Sequence, residues 1–222
     1  MLQMSFMFYM ILLPGAFLVP IIHEFVRAKV SAALGDATIE KQGLKTFGIK
    51  KFFEPIGFFF MMYFFVGWGQ PVQVSPLYYK DRRKGLLLTY LVPIAVNILL
   101  GLLVILLWGA MRPTLIVWGA QQALLGSGLP NLVLFYIEGG VIWFARLSIG
   151  LALFNLVPVN PLAGSKLLPL FLSPETSVRM SYYEKPLQII MVIMLMFGLL
   201  QAFLFPLRDM LIMLVGFESP WM

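Results

Sequence analysis

Hydrophobic and polar positions along this chain fall in long blocks, not in the short periodicities of half-buried soluble elements. Ser5 to Ile22 is an uncharged run of 18 residues, about long enough to cross a bilayer as a helix. Pro14 and Pro20 lie inside it and predict a kink or a boundary. It lacks a basic leading stretch and a small-residue cleavage site, so it reads as a retained membrane helix. We place this first span at residues 5–27. Residues 28–53 are polar and basic and are broken by Gly35, Gly43 and Gly48, which predicts short strands and turns at the membrane surface.

Residues 54–69 are apolar and aromatic, but a helix from Ile56 to Gly69 covers only about 21 Å against a hydrocarbon core of ~30 Å. The segment is predicted to be short or re-entrant. Gly85 to Ala110 is a 26-residue apolar run and a span. Pro113 to Leu129 is mixed, with Gln121, Gln122, Gly126 and Gly128, and reads as interfacial. Residues 131–162 form a span broken towards its end by Pro158 and Pro161. Residues 187–217 hold a last span to Phe205 and a surface helix after Pro206. The expectation is an all-α polytopic membrane protein, residues 1–222 forming a single membrane domain of about 4–6 membrane segments.

Charge placement bears on the short segment. Arg27, Lys29, Lys41, Lys45, Lys50 and Lys51 precede it; Lys80, Arg82, Arg83 and Lys84 follow it. A full crossing would put these basic blocks on opposite faces, against the bias of basic loops to one side. A re-entrant segment keeps both on one face, and that is the topology we expect.

Composition removes whole classes of function. Of 222 residues, 60% are apolar and 12% charged, where a soluble domain carries about 25% charged. Mean hydropathy is +0.91. There is no cysteine and one histidine, which excludes disulfides, thiolate chemistry and any site needing two imidazoles. The net charge of +6 marks basic loops facing lipid headgroups, not a nucleic-acid surface. No glycine-rich phosphate loop is present. The partners expected are the lipid bilayer and a transmembrane helix or another membrane protein. The expected location is a bacterial cytoplasmic membrane, as a multi-pass protein.

Candidate chemistry begins at His23-Glu24-Phe25-Val26-Arg27. In H-E-x-x-H, two histidines four apart share a helix face and ligate zinc while the glutamate acts as general base. Here the second histidine position is Arg27, whose guanidinium has no lone pair for a metal. Further along, residues 154–164 read Phe-Asn-Leu-Val-Pro-Val-Asn-Pro-Leu-Ala-Gly. Between them lie Leu34-Gly35-Asp36-Ala37-Thr38, Glu54-Pro55-Ile56-Gly57, the stretch from Trp68 to Pro76, Arg82-Arg83-Lys84-Gly85 and Ala95-Val96-Asn97.

In this order, these segments resemble the site-2 protease family of intramembrane zinc metalloproteases. The resemblance implies a zinc ligand at His23, a general base at Glu24, and further ligands at the positions of Arg27 and Ala163. Only His23 and Glu24 retain the chemistry. Zinc generally needs three protein ligands, so no zinc or other cofactor is expected. The resemblance also implies that the segment with Asn155, Pro158 and Pro161 receives a substrate or partner strand. From the residues alone, Asn155 is more simply the group that satisfies backbone freed by the two prolines.

The reading is therefore a pseudoprotease that binds a transmembrane helix or peptide, or serves as a subunit of a membrane complex. An expected charge network of Glu24, Arg27, Arg146 and Glu138 replaces the metal, with Arg146 pairing to Glu24 or to Glu138. One alternative is an active metalloprotease with a rearranged zinc site, with Glu54 and Glu138 as spare carboxylates. Another is a small transporter or channel, suggested by charges at Glu138 and Arg146 within an apolar segment.

Overall fold

The computed structural model describes residues 2–124 and 129–215. Ten α-helices are described: α1 (Leu2–Ala33), α2 (Ala37–Lys41), α3 (Ile49–Phe52), α4 (Pro55–Phe64), α5 (Arg82–Leu124), α6 (Leu129–Phe154), α7 (Ala163–Leu167), α8 (Pro174–Tyr182), α9 (Glu184–Met196) and α10 (Leu199–Met213). Two 3-10 turns, Pro76–Tyr78 and Leu168–Leu170, complete them. The protein is an all-α polytopic membrane protein. Three helices, α1, α5 and α6, are long and apolar enough to cross a membrane, or four spans if the bent pair α9–α10 counts as one.

The long helices form the centre. Gly139 sits against Ile11 and Gly15 against Phe144 and Leu147, so α1 and α6 run parallel. Gly101 sits against Ala145 and Ile149, and the Ser148 hydroxyl donates to the Asn97 carbonyl at 2.9 Å. Arg112 pairs with Glu138 further down, so α5 runs antiparallel to both. The C-terminal ends of α1 and α6 and the N-terminal end of α5 therefore share one face. Pro14 and Pro20 stay inside α1, and Pro93 and Pro113 inside α5. In a bilayer, neighbouring helices and local adjustment keep such prolines helical. The interfacial stretch expected from Pro113 is thus part of a 43-residue helix as far as Leu124; Gly126 and Gly128 lie outside the described residues. The first span likewise runs past residue 27, to Ala33.

The strands expected over 28–53 are not found among the described residues. Gly35 adopts a left-handed φ of 101°, and the Asp36 carboxylate then caps α2 by accepting from the Thr38 amide. An N-cap aspartate before Ala-Thr-Ile-Glu-Lys favours a helical turn over a strand.

The short apolar segment is a ten-residue helix followed by a chain that doubles back along it. Glu54 caps α4 by accepting from the Gly57 amide, with Pro55 at its first position. The helix ends at Phe65, in the left-handed region with φ 58°. The chain then turns back in extended form. A methyl group added at Gly57 would collide with the Trp68 backbone, and one at Gly67 with the Gly57 carbonyl. Those two glycines let the returning strand lie directly on the helix. The Gln70 amide donates to the Phe52 carbonyl at 2.9 Å, and the Gln42 side chain to the Gln73 carbonyl at 3.1 Å. The two ends of the segment, from Phe52 to Gln70, therefore lie side by side.

Towards the C-terminus, α9 and α10 are bent by 71°. The break falls at Gly198, with φ 73°, not at Pro206, which lies within α10. Residues 216 and 217 of the expected last segment lie outside the described residues.

Candidate functional site

His23, Glu24 and Arg27 occupy one face of α1, because residues three and four apart on a helix are neighbours. All three are buried, at 1%, 4% and 2% exposure. The Arg27 guanidinium grips Glu24 through Nη1, at 2.8 Å from both carboxylate oxygens. Its Nη2 lies 3.1 Å from His23 Nε2. The Val72 amide, on the strand returning from α4, donates to Glu24 Oε2 at 3.0 Å. Above the guanidinium lies the Tyr90 ring of α5, 5.1 Å from the Arg27 Cζ.

The other side of His23 meets α5. The Asn97 amide nitrogen is 3.2 Å from His23 Nδ1, and the Asn97 Oδ1 is buried with no hydrogen-bond partner. A neutral imidazole has one acceptor nitrogen and one N–H. Arg27 donates to Nε2, so Nδ1 carries the proton and must face an acceptor. Turning the Asn97 amide so that Oδ1 faces Nδ1–H gives that proton its acceptor. Arg27 thus holds α1 to itself, to the chain returning from α4 through Glu24 and to α5 through His23.

A second cluster gathers around Asp36, which lies beyond the end of α1. Asp36 accepts from the Thr38 hydroxyl at 2.6 Å, the Ser75 amide at 2.7 Å, and the Ser31 hydroxyl and Thr38 amide at 2.9 Å each. Burial pushes its carboxyl up, but these hydrogen bonds outweigh burial and hold it below the ordinary aspartate value. The Ser31 hydroxyl continues to Tyr79 at 2.7 Å, and Tyr79 to Thr89 at 3.0 Å. The Leu-Gly-Asp-Ala-Thr segment is thus a clamp between α1, the chain returning from α4 and α5.

Asn155 is buried at the end of α6. Its Nδ2 donates to the Leu151 carbonyl at 3.0 Å, and its Oδ1 lies 3.5 Å from the Ala163 amide. Its own carbonyl accepts from the Gly164 amide at 2.7 Å. Asn155 therefore ties the ends of the proline-broken loop together, and its polar groups are consumed there. Pro158 is exposed beside a small hollow shared with Asn160 and Glu184. Pro161 follows a cis peptide bond. Ala163 is buried in a cluster with Tyr90, Ile94, Ala152 and Leu167, so its side chain lies close to the Arg27 site.

The four charges expected in one network are divided. Glu24 pairs with Arg27. Glu138 pairs with Arg112 of α5 at 2.7 Å, not with Arg146. Arg146 Nη2 lies 4.0 Å from Asp209 of α10, and its guanidinium lies 5.4 Å from the Trp143 ring. The physical reason is reach. Arg112 stands directly across from Glu138 in the antiparallel α5–α6 pair, and α10 brings Asp209 to the side of α6 that carries Arg146. Tyr90, Val72, Arg112 and Asp209 were not singled out from sequence. A backbone amide 48 residues from its acceptor leaves no sequence signal, but an acid in a C-terminal apolar helix is a visible cue.

The arrangement tests poorly as a zinc site. The His23 Nε2 lone pair and both Glu24 oxygens are already engaged by Arg27, and Ala163 offers no ligand atom. Among the described residues, no group of three or more His, Cys, Asp or Glu is placed to hold a metal. The spare carboxylates are occupied elsewhere, Glu54 as the cap of α4 and Glu138 with Arg112. A guanidinium stands where metal coordination would need lone pairs.

Comparison with known proteins points the same way as the motifs. Over 164 residues, 73% of this chain and 69% of the relative, the chain is 27% identical to the Bacillus subtilis (strain 168) protein named "Putative zinc metalloprotease YwhC". No family model matches the chain. No solved structure matches it either. The chain is thus a multi-pass membrane protein similar in sequence to that relative.

Proposed function

We propose that this protein is a non-catalytic counterpart of the site-2 proteases, which keeps their membrane scaffold and uses it to hold a transmembrane helix or peptide of a partner membrane protein. The observation that carries this reading is the buried Arg27 guanidinium bonded at once to Glu24 and His23. It neutralises the general base and occupies the imidazole lone pair, the two groups that metal-assisted peptide hydrolysis needs free. The rearranged-site protease is disfavoured because its candidate carboxylates are engaged elsewhere.

Two measurements test the proposal. Zinc per chain is determined by elemental analysis after purification in mild detergent without a chelator or a histidine tag. The expected value is far below one and unchanged in His23→Ala. Incubation with transmembrane substrates should give no cleavage above that of Glu24→Gln. One zinc per chain that is lost in His23→Ala, or cleavage that Glu24→Gln abolishes, overturns the proposal. Partner retention is read separately, by photocrosslinking from Pro158 replaced with a photoreactive residue. A crosslink to one membrane protein supports the holding role, and crosslinks to lipid alone refute it.

A further inference from the structure

On the face that carries the basic loops, the first turns of α5 and the surface helices α7 and α8 enclose an open cleft of about 850 Å³. Arg82 and Arg83 stand on the α5 side and Lys166 on the α7 side. No ion pair joins any of the three to a carboxylate among the described residues. Arg83 only rests over the Phe171 ring, 5.8 Å away. The single carboxylate on the lining, Glu184, takes a 3.5 Å contact from the Asn160 amide. Between the cations the walls are apolar, with Leu86 and Leu170. Tyr90, 7% exposed, also lines the cleft, and its hydroxyl makes no hydrogen bond to a described residue.

We infer that this cleft is a binding site for the headgroup of an anionic phospholipid. Three unpaired cations at the level where spans emerge match a phosphodiester, since Lys and Arg at a membrane surface attract anionic lipid. Arginine in particular offers a planar fork to phosphate oxygens. The apolar walls between the cations match the glycerol and upper acyl carbons, which a free anion would not fill. The Tyr90 hydroxyl, which has no hydrogen-bond partner among the described residues, supplies a neutral donor on the cleft wall. That ring also covers Arg27, so an occupied cleft borders the ion-pair site without using any of its bonds.

The test uses the full chain, purified in mild detergent, stripped of lipid and titrated with defined lipids under native mass spectrometry. Phosphatidylglycerol should bind at least about tenfold more tightly than phosphatidylcholine. Each surface charge is worth a factor of about five, so the triple variant Arg82→Gln, Arg83→Gln, Lys166→Gln should lose roughly 100-fold. A control triple variant at Lys41, Lys45 and Lys50, outside the cleft, should stay within about twofold of the original chain. Ser177→Trp fills the cleft without changing charge and should also abolish binding. Equal binding of the two lipids, or equal losses in the two triple variants, refutes the site. Displacement of the lipid by millimolar inorganic phosphate refutes the headgroup assignment in favour of a free-anion site. Displacement by a micromolar acidic peptide refutes it in favour of a polypeptide ligand.

Discussion

The Arg27 guanidinium does two jobs with one charge. It compensates a buried carboxylate and it fixes the tautomer of a buried imidazole. Removing one partner of a buried ion pair leaves the other charge uncompensated, a loss of about 3–5 kcal/mol, whereas replacing both with apolar groups is often neutral. Arg27→Ala should therefore destabilise the protein by about that amount, while Glu24→Leu with Arg27→Met should cost much less. Thermal unfolding in detergent across this cycle checks it; an Arg27→Ala variant as stable as the original chain would sink the argument. Asp36 gives a second, pH-dependent test. Its folded carboxyl titrates below its unfolded one, so its contribution is fully present above about pH 4 and is lost as pH falls through the lower folded value. Asp36→Asn should lower the unfolding temperature at pH 7 and flatten its fall in acid. At this scale the sequence was informative where partners lie on one helix turn. Glu24 and Arg27 are three apart, and helix geometry alone brings them together. It was uninformative where the partner is a backbone amide, as at Val72, or a facing helix, as for Glu138 and Arg112.

Elements were legible where length and charge constrained them. From sequence, the segment from Ile56 to Gly69 is too short to cross and the basic blocks on both sides of it favour a common face; the chain doubling back after α4 is compatible with that topology. The cysteine-free chain makes this directly testable. Single cysteines at Thr46 and Lys80 should react with an impermeant maleimide from the same side of a sealed vesicle, and one at Gln121 from the other. Labelling of Thr46 and Lys80 from opposite sides would mean that the segment crosses. Gly57→Val should release the returning strand, because its side chain would meet the Trp68 backbone. The 28–53 region was misread because glycines suggest turns without saying what lies between them. Asp36 decides it by capping a helix. Pro113 and Pro206 were misread for the opposite reason. In water each would end a helix, but in α5 and α10 the helix continues through them.

At the scale of the whole molecule, α1, the segment returning from α4 and α5 meet around the Arg27–Glu24–His23 group. Arg27 lies on the Tyr90 ring, and Tyr90 packs in the cluster that contains Ala163. If the scaffold is a metal site altered at two positions, two substitutions should restore the donors. Arg27→His returns an imidazole four residues from His23 on the same helix face, and frees both the Glu24 carboxylate and the His23 Nε2 lone pair. Ala163→Asp adds a carboxylate from across the site. Two imidazoles and a carboxylate with an open fourth position form a sufficient set for catalytic zinc. The double variant should therefore hold close to one zinc per chain by elemental analysis, where Ala163→Asp alone should hold none. Removing the metal with a chelator should lower the unfolding temperature of the double variant and leave that of the original chain unchanged, because only the variant would then hold buried groups without a cation. A double variant that folds but stays metal-free would show that the helices have drifted from metal-binding geometry, and that Arg27 is an original strut of this fold and not a substitute for an ion.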